Sequence, residues 1–410
     1  MTSVLLSPRA GKSSAAHFQD VVGPQRLTTS LGALRTFGQS FLRTRLSGSF
    51  HRVFNSLALR AAPSKIVTPP DTKSESGGDC VLVGDIGGTN ARLSLWRVSP
   101  DQDYTLVFQK WYQTADYREA GFDAVLEALT NEPEVRDNYP SSACFAIAGP
   151  VQNGVGSMTN LGWTISGPEI AEEFRWRVAV INDFEALGYG VPILDEEEVI
   201  VLNDVPAEEK APIAVLGPGT GLGEAQLLFD EGRKEYKVWP SEGSHSDFAP
   251  RGEKQTALMK WVVDGLGYCE VEHVACGKGL ERIYTFLAAG DKVSAADDTI
   301  MGAPEISMKA LSGEDEVAVE ALDMMLSIIG AEGGHMALRN LARGGVYIAG
   351  GITPKVIERV KSGVLLDGFL HQQDHRFHPL LKTFRLCAVL NEDVGLVGAR
   401  YFATQLLAAH

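Results

Sequence analysis

Val81-Leu82-Val83-Gly84-Asp85-Ile86-Gly87-Gly88-Thr89-Asn90 is a short apolar run that stops at paired glycines, and Arg92-Leu93-Ser94-Leu95-Trp96 after it alternates polar and apolar residues. A strand, a tight turn and a second strand follow from that pattern, because successive side chains of a strand point to opposite faces. The design recurs downstream. Ile213-Ala214-Val215-Leu216 leads into Gly217-Pro218-Gly219-Thr220-Gly221-Leu222-Gly223 and then into the alternating Glu224-Ala225-Gln226-Leu227-Leu228. Two copies imply two related half-units. A third apolar strand, Val346-Tyr347-Ile348-Ala349, ends in the pair Gly350-Gly351, and strands are also expected at Cys144 to Ala148 and Val178 to Ile181. Between them Leu280, Ile283, Tyr284 and Leu287 recur at helical intervals, a longer helix is expected through Met324 and Ile328 to Leu341, and Val394, Val397 and Tyr401 mark one near the end. The chain is therefore α/β with a duplicated hairpin core.

With 410 residues, 44% of them hydrophobic, the chain can bury at least one substantial core, and its length favours two domains. A formal charge of -15 argues against a nucleic-acid or anionic-membrane partner, since both require clustered Lys and Arg. Five scattered cysteines, none in a C-x-x-C pair, give no disulfide framework or zinc motif. The first seventy residues differ from the rest: Arg9, Lys12, Arg26, Arg35, Arg43, Arg45, Arg52, Arg60 and Lys65 stand against the single acid Asp20, with many Ser and Thr between. That composition reads as a transit peptide. Residues 1–78 are accordingly expected to be an unstructured targeting peptide and linker, addressed to a chloroplast or mitochondrion, with the chloroplast slightly favoured and the cytoplasm as the alternative.

A glycine-rich hairpin turn lets backbone N–H groups approach phosphate oxygens without side chains in the way, although one such turn alone is more simply a plain β-turn. Neither turn is a Walker A loop, since no Gly-Lys-Ser/Thr follows, and neither fits G-x-G-x-x-G because Leu222 stands where the third glycine belongs. The pair resembles the phosphate-binding turns of the sugar kinase, actin and Hsp70 superfamily. Read with Ala148-Gly149-Pro150, Met158-Thr159-Asn160-Leu161-Gly162-Trp163, Ile181-Asn182-Asp183-Phe184-Glu185-Ala186, Glu242-Gly243-Ser244-His245-Ser246-Asp247-Phe248-Ala249-Pro250 and Gly350-Gly351-Ile352, the chain from about residue 79 onward resembles bacterial-type glucokinase, with the motifs in that family's order.

The resemblance implies a two-domain actin-like ATPase (ribonuclease H-like) fold with ATP and sugar in the interdomain cleft, the small domain being residues 80–192 plus 392–410 and the large one 193–391. It implies phosphorylation of glucose to glucose 6-phosphate. Asp183 would be the catalytic base, and Asn160, Asn182, Asp183, Glu242, His245 and Glu272 would bind the sugar. Asp85, Gly87, Gly88, Thr89, Asn90, Gly219, Thr220, Gly221, Gly350 and Gly351 would hold ATP, with Asp85 also toward Mg²⁺. Glucose and ATP are the implied partners, and a homodimer is compatible with the family. Phosphoryl transfer needs an aligned oxygen nucleophile, a proton acceptor and dipolar or positive groups at the phosphates, which this set supplies. Each residue also has a blander reading: the Asn182-Asp183 pair as a helix cap, His245 as a structural histidine, Glu272 as an exposed acid. Two departures from the family pattern are Ser244, where a second glycine is common, and Cys276, where a serine is. Two other functions remain open on the sequence: a kinase for another hexose, such as the ROK branch acting on amino sugars, and a noncatalytic sugar or nucleotide sensor on the same fold. The ROK branch's cysteine-rich zinc motif is not seen, and Asp85, Asp183 and both turns occurring together count against the sensor.

Overall fold

The computed structural model describes residues 79–99, 101, 103–370 and 376–408, so the leader and linker expected over 1–78 lie outside the described residues. Both expected hairpins form, each at the centre of its own sheet. The chain begins with β1 (Asp79–Ile86), β2 (Asn90–Val98), β3 (Tyr104–Gln113) and β4 (Ser142–Ile147), continues through the short β5 (Val151–Gln152), β6 (Val155–Met158) and β7 (Trp163–Ser166), and reaches β8 (Arg177–Asn182). The second half supplies β9 (Val199–Asn203), β10 (Ile213–Pro218), β11 (Leu222–Asp230), β12 (Glu235–Ser241), β13 (Gly345–Ile348) and β14 (Leu386–Val389).

The strand orders are β3-β2-β1-β4-β8 in one sheet and β12-β11-β10-β13-β14-β9 in the other. In each, the hairpin strands pair antiparallel, and the first of them pairs parallel with a later strand, β1 with β4 and β10 with β13. Apart from the extra edge strand β9, the two sheets repeat one topology, which is what the duplicated sequence pattern required. The parallel strands leave their C-terminal ends, where Asn182 and Gly350 stand, on the sides from which ligands approach open α/β sheets.

Both faces of the first sheet are covered. Leu82, Ile86, Leu93, Phe145, Ile147 and Val180 pack with Phe122, Trp163 and Trp176, whereas Val81, Val83, Cys144, Ala146 and Ile181 meet Ala399, Ala403 and Leu406 of the C-terminal helix. In the second sheet Ala214, Leu216, Val346 and Ile348 lie against the long central helix through Met325 and Ile329. The helices that place the site are α1 (Asp183–Gly190), α2 (Gly277–Ala289), α3 (Glu316–Asn340) and α4 (Val394–Ala408). The acidic run at 195–198 is only partly the solvated face its composition implies, because Glu198 accepts hydrogen bonds from the Asp195 amide at 2.8 Å and from Asn391 Nδ2 at 2.5 Å.

Helices α1 and α4 touch backbone to backbone at Gly398. A β-carbon there would stand 2.5 Å from the Gly190 amide nitrogen and 2.9 Å from the Ala186 carbonyl carbon, so any side chain must push α1 aside. Overpacking of this kind typically costs ~1–3 kcal/mol. Gly398→Val should therefore lower the free energy of unfolding by about that amount in chemical denaturation; an unchanged midpoint would mean that the two helices can slide apart freely.

Candidate active site

The first turn is braced from the end of β3. The Gly87 amide donates to the Asn90 carbonyl at 2.9 Å, Thr114 donates through Oγ1 to the Gly88 carbonyl at 2.8 Å and through its amide to the Thr89 carbonyl at 3.0 Å, and Gln113 Nε2 donates to Asn90 Oδ1 at 2.7 Å. Gly88 leaves room for a neighbour as well as for a ligand: a β-carbon there would be 3.6 Å from Asn160 Cγ and nearer still to Nδ2. A candidate phosphate residue and a candidate sugar residue are thus brought together.

The second turn is braced from α2 and the segment before it. Gly219 N–H donates to the Gly221 carbonyl at 2.8 Å, Gly277 N–H donates to the Gly219 carbonyl at 2.9 Å, and Leu222 N–H donates to Glu272 Oε2 at 2.7 Å. Glu272, expected from the resemblance as a sugar ligand, here ties down the second glycine-rich turn. Thr220 stands exposed at the tip. Gly350, at φ +81, comes so close that a β-carbon would lie 2.6 Å from the Pro218 carbonyl oxygen, which accounts for glycine at that position on both conformational and steric grounds.

Asn182 ends β8 and caps α1: its Oδ1 accepts from the amides of Phe184 at 2.9 Å and Glu185 at 3.2 Å, while Nδ2 donates to the Gly149 carbonyl at 3.1 Å. The cap therefore orients the next side chain. Asp183 Oδ1 accepts from the Phe184 amide at 2.9 Å, and its carboxyl opens into a cavity of about 210 Å³. Asp85, Asp183, Gly350, Gly351, Glu392 and Asp393 line that cavity, whereas Asn160, Glu242, His245 and Glu272 lie outside its lining. The cleft walls displace water from Asp183, and this desolvation, aided by the nearby charge of Asp85, pushes its pKa up to about 6 despite the hydrogen bond from Phe184. Asp85 is raised for the same first reason, with Arg92 opposing and Asp393 reinforcing the shift. Both carboxyls remain open to solvent at the cleft, so crowding by its walls rather than full burial is the cause.

At the end of β12, Glu242 and His245 stand 3.6 Å apart between Oε2 and Nε2. The imidazole is held by a residue that no motif of the sequence marks. Glu270 Oε2 lies 2.9 Å from His245 Nδ1, and this hydrogen bond is the chief reason the His245 pKa is raised. The only signal available was the spacing Glu270-x-Glu272, which sets two acids two residues apart before a helix. Both departures from the family pattern are buried; the Cys276 thiol donates to the Glu272 carbonyl at 3.1 Å, so the sulfur takes up a backbone contact at the site. Among the described residues, no group of three or more His, Cys, Asp or Glu side chains is arranged to hold a metal ion, and no helix is long and apolar enough to cross a membrane.

Comparison with known proteins fits this arrangement. A family model described as Glucokinase matches residues 82–406. A glucokinase of Nostoc sp. is 35% identical over 349 residues, spanning 80% of this chain and 99% of the relative, and one of Tolumonas auensis is 34% identical over 328 residues, spanning 80% and 98%. Among solved structures, a glucokinase from an Antarctic psychrotroph superposes with a TM-score of 0.70 at 29% identity, covering 80% of this chain and all of that one. The ROK family glucokinase from Streptomyces griseus in complex with glucose and AMPPNP shares the fold at 20% identity and a TM-score of 0.53, covering 80% and 99%. The two-domain actin-like fold expected from the sequence is supported by these neighbours.

The organelle localisation is corrected by the same comparison. The relatives are cyanobacterial and proteobacterial enzymes, which point to a cytoplasmic enzyme rather than an organelle-targeted one. A basic, hydroxyl-rich composition is shared by many segments that carry no address, so it could not decide the matter.

Removing the carboxylate beside His245 tests the electrostatic reading directly. In Glu270→Gln the imidazolium loses its charged acceptor, so the His245 pKa followed by NMR should move down, and glucose binding should weaken through loss of ring orientation. A His245 titration unmoved by the substitution would show that Glu270 is not its controlling partner.

Proposed function

The chain belongs to the glucokinase family and is a hexose phosphotransferase, and from that premise we propose that it phosphorylates glucose at the expense of ATP with Asp183 as general base. The observation that carries this reading is the shared cavity: Asp183 and Asp85 face the same space as Gly350 and Gly351. Asp183 accepts the proton of the attacking sugar hydroxyl. A carboxyl with its pKa near 6 is ionised at neutral pH, yet is a stronger base than an ordinary aspartate. Asn182 fixes its orientation through the cap, and Asn160, Asn182, Glu242, His245 and Glu272 hold the hydroxyls of the ring, His245 with its Nδ1 fixed by Glu270.

Backbone N–H groups of the turns at Gly87 to Asn90 and Gly219 to Gly221 serve the phosphates. The cleft is otherwise acidic, with Asp85, Asp183, Glu392 and Asp393 on its wall, so a triphosphate entering it requires a counter-cation. Asp85 accepts no hydrogen bond from another described residue, which leaves its carboxylate available to Mg²⁺, directly or through water. Bound there, magnesium would supply charge neutralisation at the transferred phosphoryl group. We read the lobes as residues 80–192 with 392–410 and residues 193–391, closing over the sugar to keep water from competing as acceptor.

Asp183→Asn should lower kcat by a factor of ~10² to 10⁴ and change glucose affinity much less, because a base acts in the transition state whereas a shape-matched amide still fits the ground state. Glu242→Gln should show the opposite pattern, with weaker glucose binding and a smaller effect on kcat. The wild-type profile of kcat/KM should fall on its acid side with an apparent pKa near 6, since below that value the carboxyl already carries its proton. Steady-state kinetics beside calorimetric glucose binding would separate these patterns. Near wild-type turnover in Asp183→Asn would return the Asn182-Asp183 pair to the role of a cap.

A further inference from the structure

The glycines at 217 and 223 are not explained by their own backbones. Neither has a positive φ, so other residues could adopt these conformations. They are direct partners in the pairing of β10 with β11, the second rung from the phosphate turn, behind Pro218 and Leu222. What excludes a side chain from both is the ring of Phe184. A β-carbon at Gly217 would stand 2.9 Å from Phe184 Cζ, and one at Gly223 would stand 2.6 Å from Cε2 and 2.7 Å from Cγ. An apolar ring thus packs on the bare backbone of a rung of the second sheet, although its own residue belongs to the helix that leaves the first sheet.

The other end of Phe184 is engaged with the base. Its amide donates to Asn182 Oδ1 and to Asp183 Oδ1, each at 2.9 Å. The ring is part-buried, packs with the cluster of Leu187, Val215, Leu227 and Val238, and lines the cavity that Asp183 faces. One residue therefore holds the carboxylate with its N–H and rests on the root of the phosphate turn with its side chain. We propose that Phe184 is a positioning residue for phosphoryl transfer, setting the placement of Asp183 against the turn at Gly219 to Gly221, and that Gly217 and Gly223 are glycine to receive its ring.

The inference rests on the assignment of Asp183 as base. A core phenylalanine would contribute to stability alone; a positioning one must move turnover more than sugar binding, and must be coupled to the glycines it sits on. The experiment is a double-mutant cycle on the full chain, with kcat, calorimetric glucose binding and thermal unfolding measured for Phe184→Ala, Gly223→Ala and the combination. Phe184→Ala should lower kcat by ~10-fold to 10²-fold, the loss expected of a displacement of about 1 Å at the reacting groups, with glucose affinity changed less than about threefold. Gly223→Ala should also lower kcat by evicting the ring. Added to Phe184→Ala, where the space is vacant, it should cost less than about twofold more. Phe184→Leu should recover part of the turnover.

Losses that simply multiply, or a kcat for Phe184→Ala within about twofold of wild type, would overturn the proposal. If Phe184→Ala fails to fold, the same cycle run with Phe184→Leu decides the coupling. Asp183→Asn measured alongside separates the two readings: a loss there with Phe184→Ala near wild type removes the positioning role alone, whereas retained turnover in Asp183→Asn removes the base assignment itself.

Discussion

Helix α1 is gripped from both sides, and the rest of the site takes its position from that grip. Ala186 faces the core of the first sheet with Val83, Ala146 and Ile181, while Leu187, the next residue, faces the core of the second with Val215, Leu227 and Val238. Glycines make the fit possible. At Gly188 a β-carbon would meet Val238 Cγ1 at 2.6 Å, and at Gly190 it would meet Val394 Cγ2 at 2.8 Å. Burying a side chain such as Leu187 contributes ~1.5–3 kcal/mol, enough to keep the helix seated while the polar residues at its N-terminus face the cleft. A base on a loop would need ordering at each turnover. Asp183, the proposed base, instead follows Asn182 at the start of a helix whose position both cores specify.

The same placement explains the electrostatics. Asp85 and Asp183 come from parallel strands of one sheet, β1 and the end of β8, separated only by β4. Asp393, just before α4, completes an acidic wall and is held by Arg92, whose guanidinium donates to its two oxygens at 2.5 and 3.1 Å. Arg92 thereby withholds part of that charge from the cleft, while Asp85 still raises the pKa of Asp183. An acidic cleft suits a phosphoryl donor only when the donor arrives with a cation, and the overall charge of -15 does not oppose binding for the same reason.

The central strands were legible because their signal is local. Paired glycines after an apolar run, followed by alternation, led to β1, β2, β10 and β11 within a few residues, and the helical spacing of Leu280, Ile283, Tyr284 and Leu287 lies inside α2. The small sheet of β5, β6 and β7 was not legible, since strands of two to four residues carry too little alternation to register. Site residues divide in the same way. Asp85 and Asp183 lie at the ends of readable strands, where chemistry-bearing side chains are expected. Glu270 and Phe184 act through residues 25 and 33 or more positions away, His245 in one case and Gly217 in the other, and no periodicity encodes such contacts.

Glu224 shows how far the influence of the second hairpin extends. It pairs across from Ser241, and it is only 3% exposed, as is Glu332 of α3 behind it. Glu332 is satisfied by Arg339 at 2.8 Å and His335 at 3.0 Å, whereas Glu224 Oε1 has no hydrogen-bond partner among the described residues. Burial, reinforced by the charge of Glu332, raises the Glu224 pKa from 4.5 to about 7. The folded protein therefore holds a proton there that the unfolded chain releases, and the charge costs stability as pH rises from about 4.5 to about 7. That cost is borne directly beneath the turn that carries Glu242 and His245: a β-carbon at Gly243 would stand 3.2 Å from Glu224 Cδ. Glycine at 243 lets the carboxyl fit, and the carboxyl in turn fills the space under the turn that carries Glu242 and His245. The strand that follows the second glycine-rich turn thus also packs under the turn that carries Glu242 and His245, so the proposed phosphate and sugar sites share one piece of backbone.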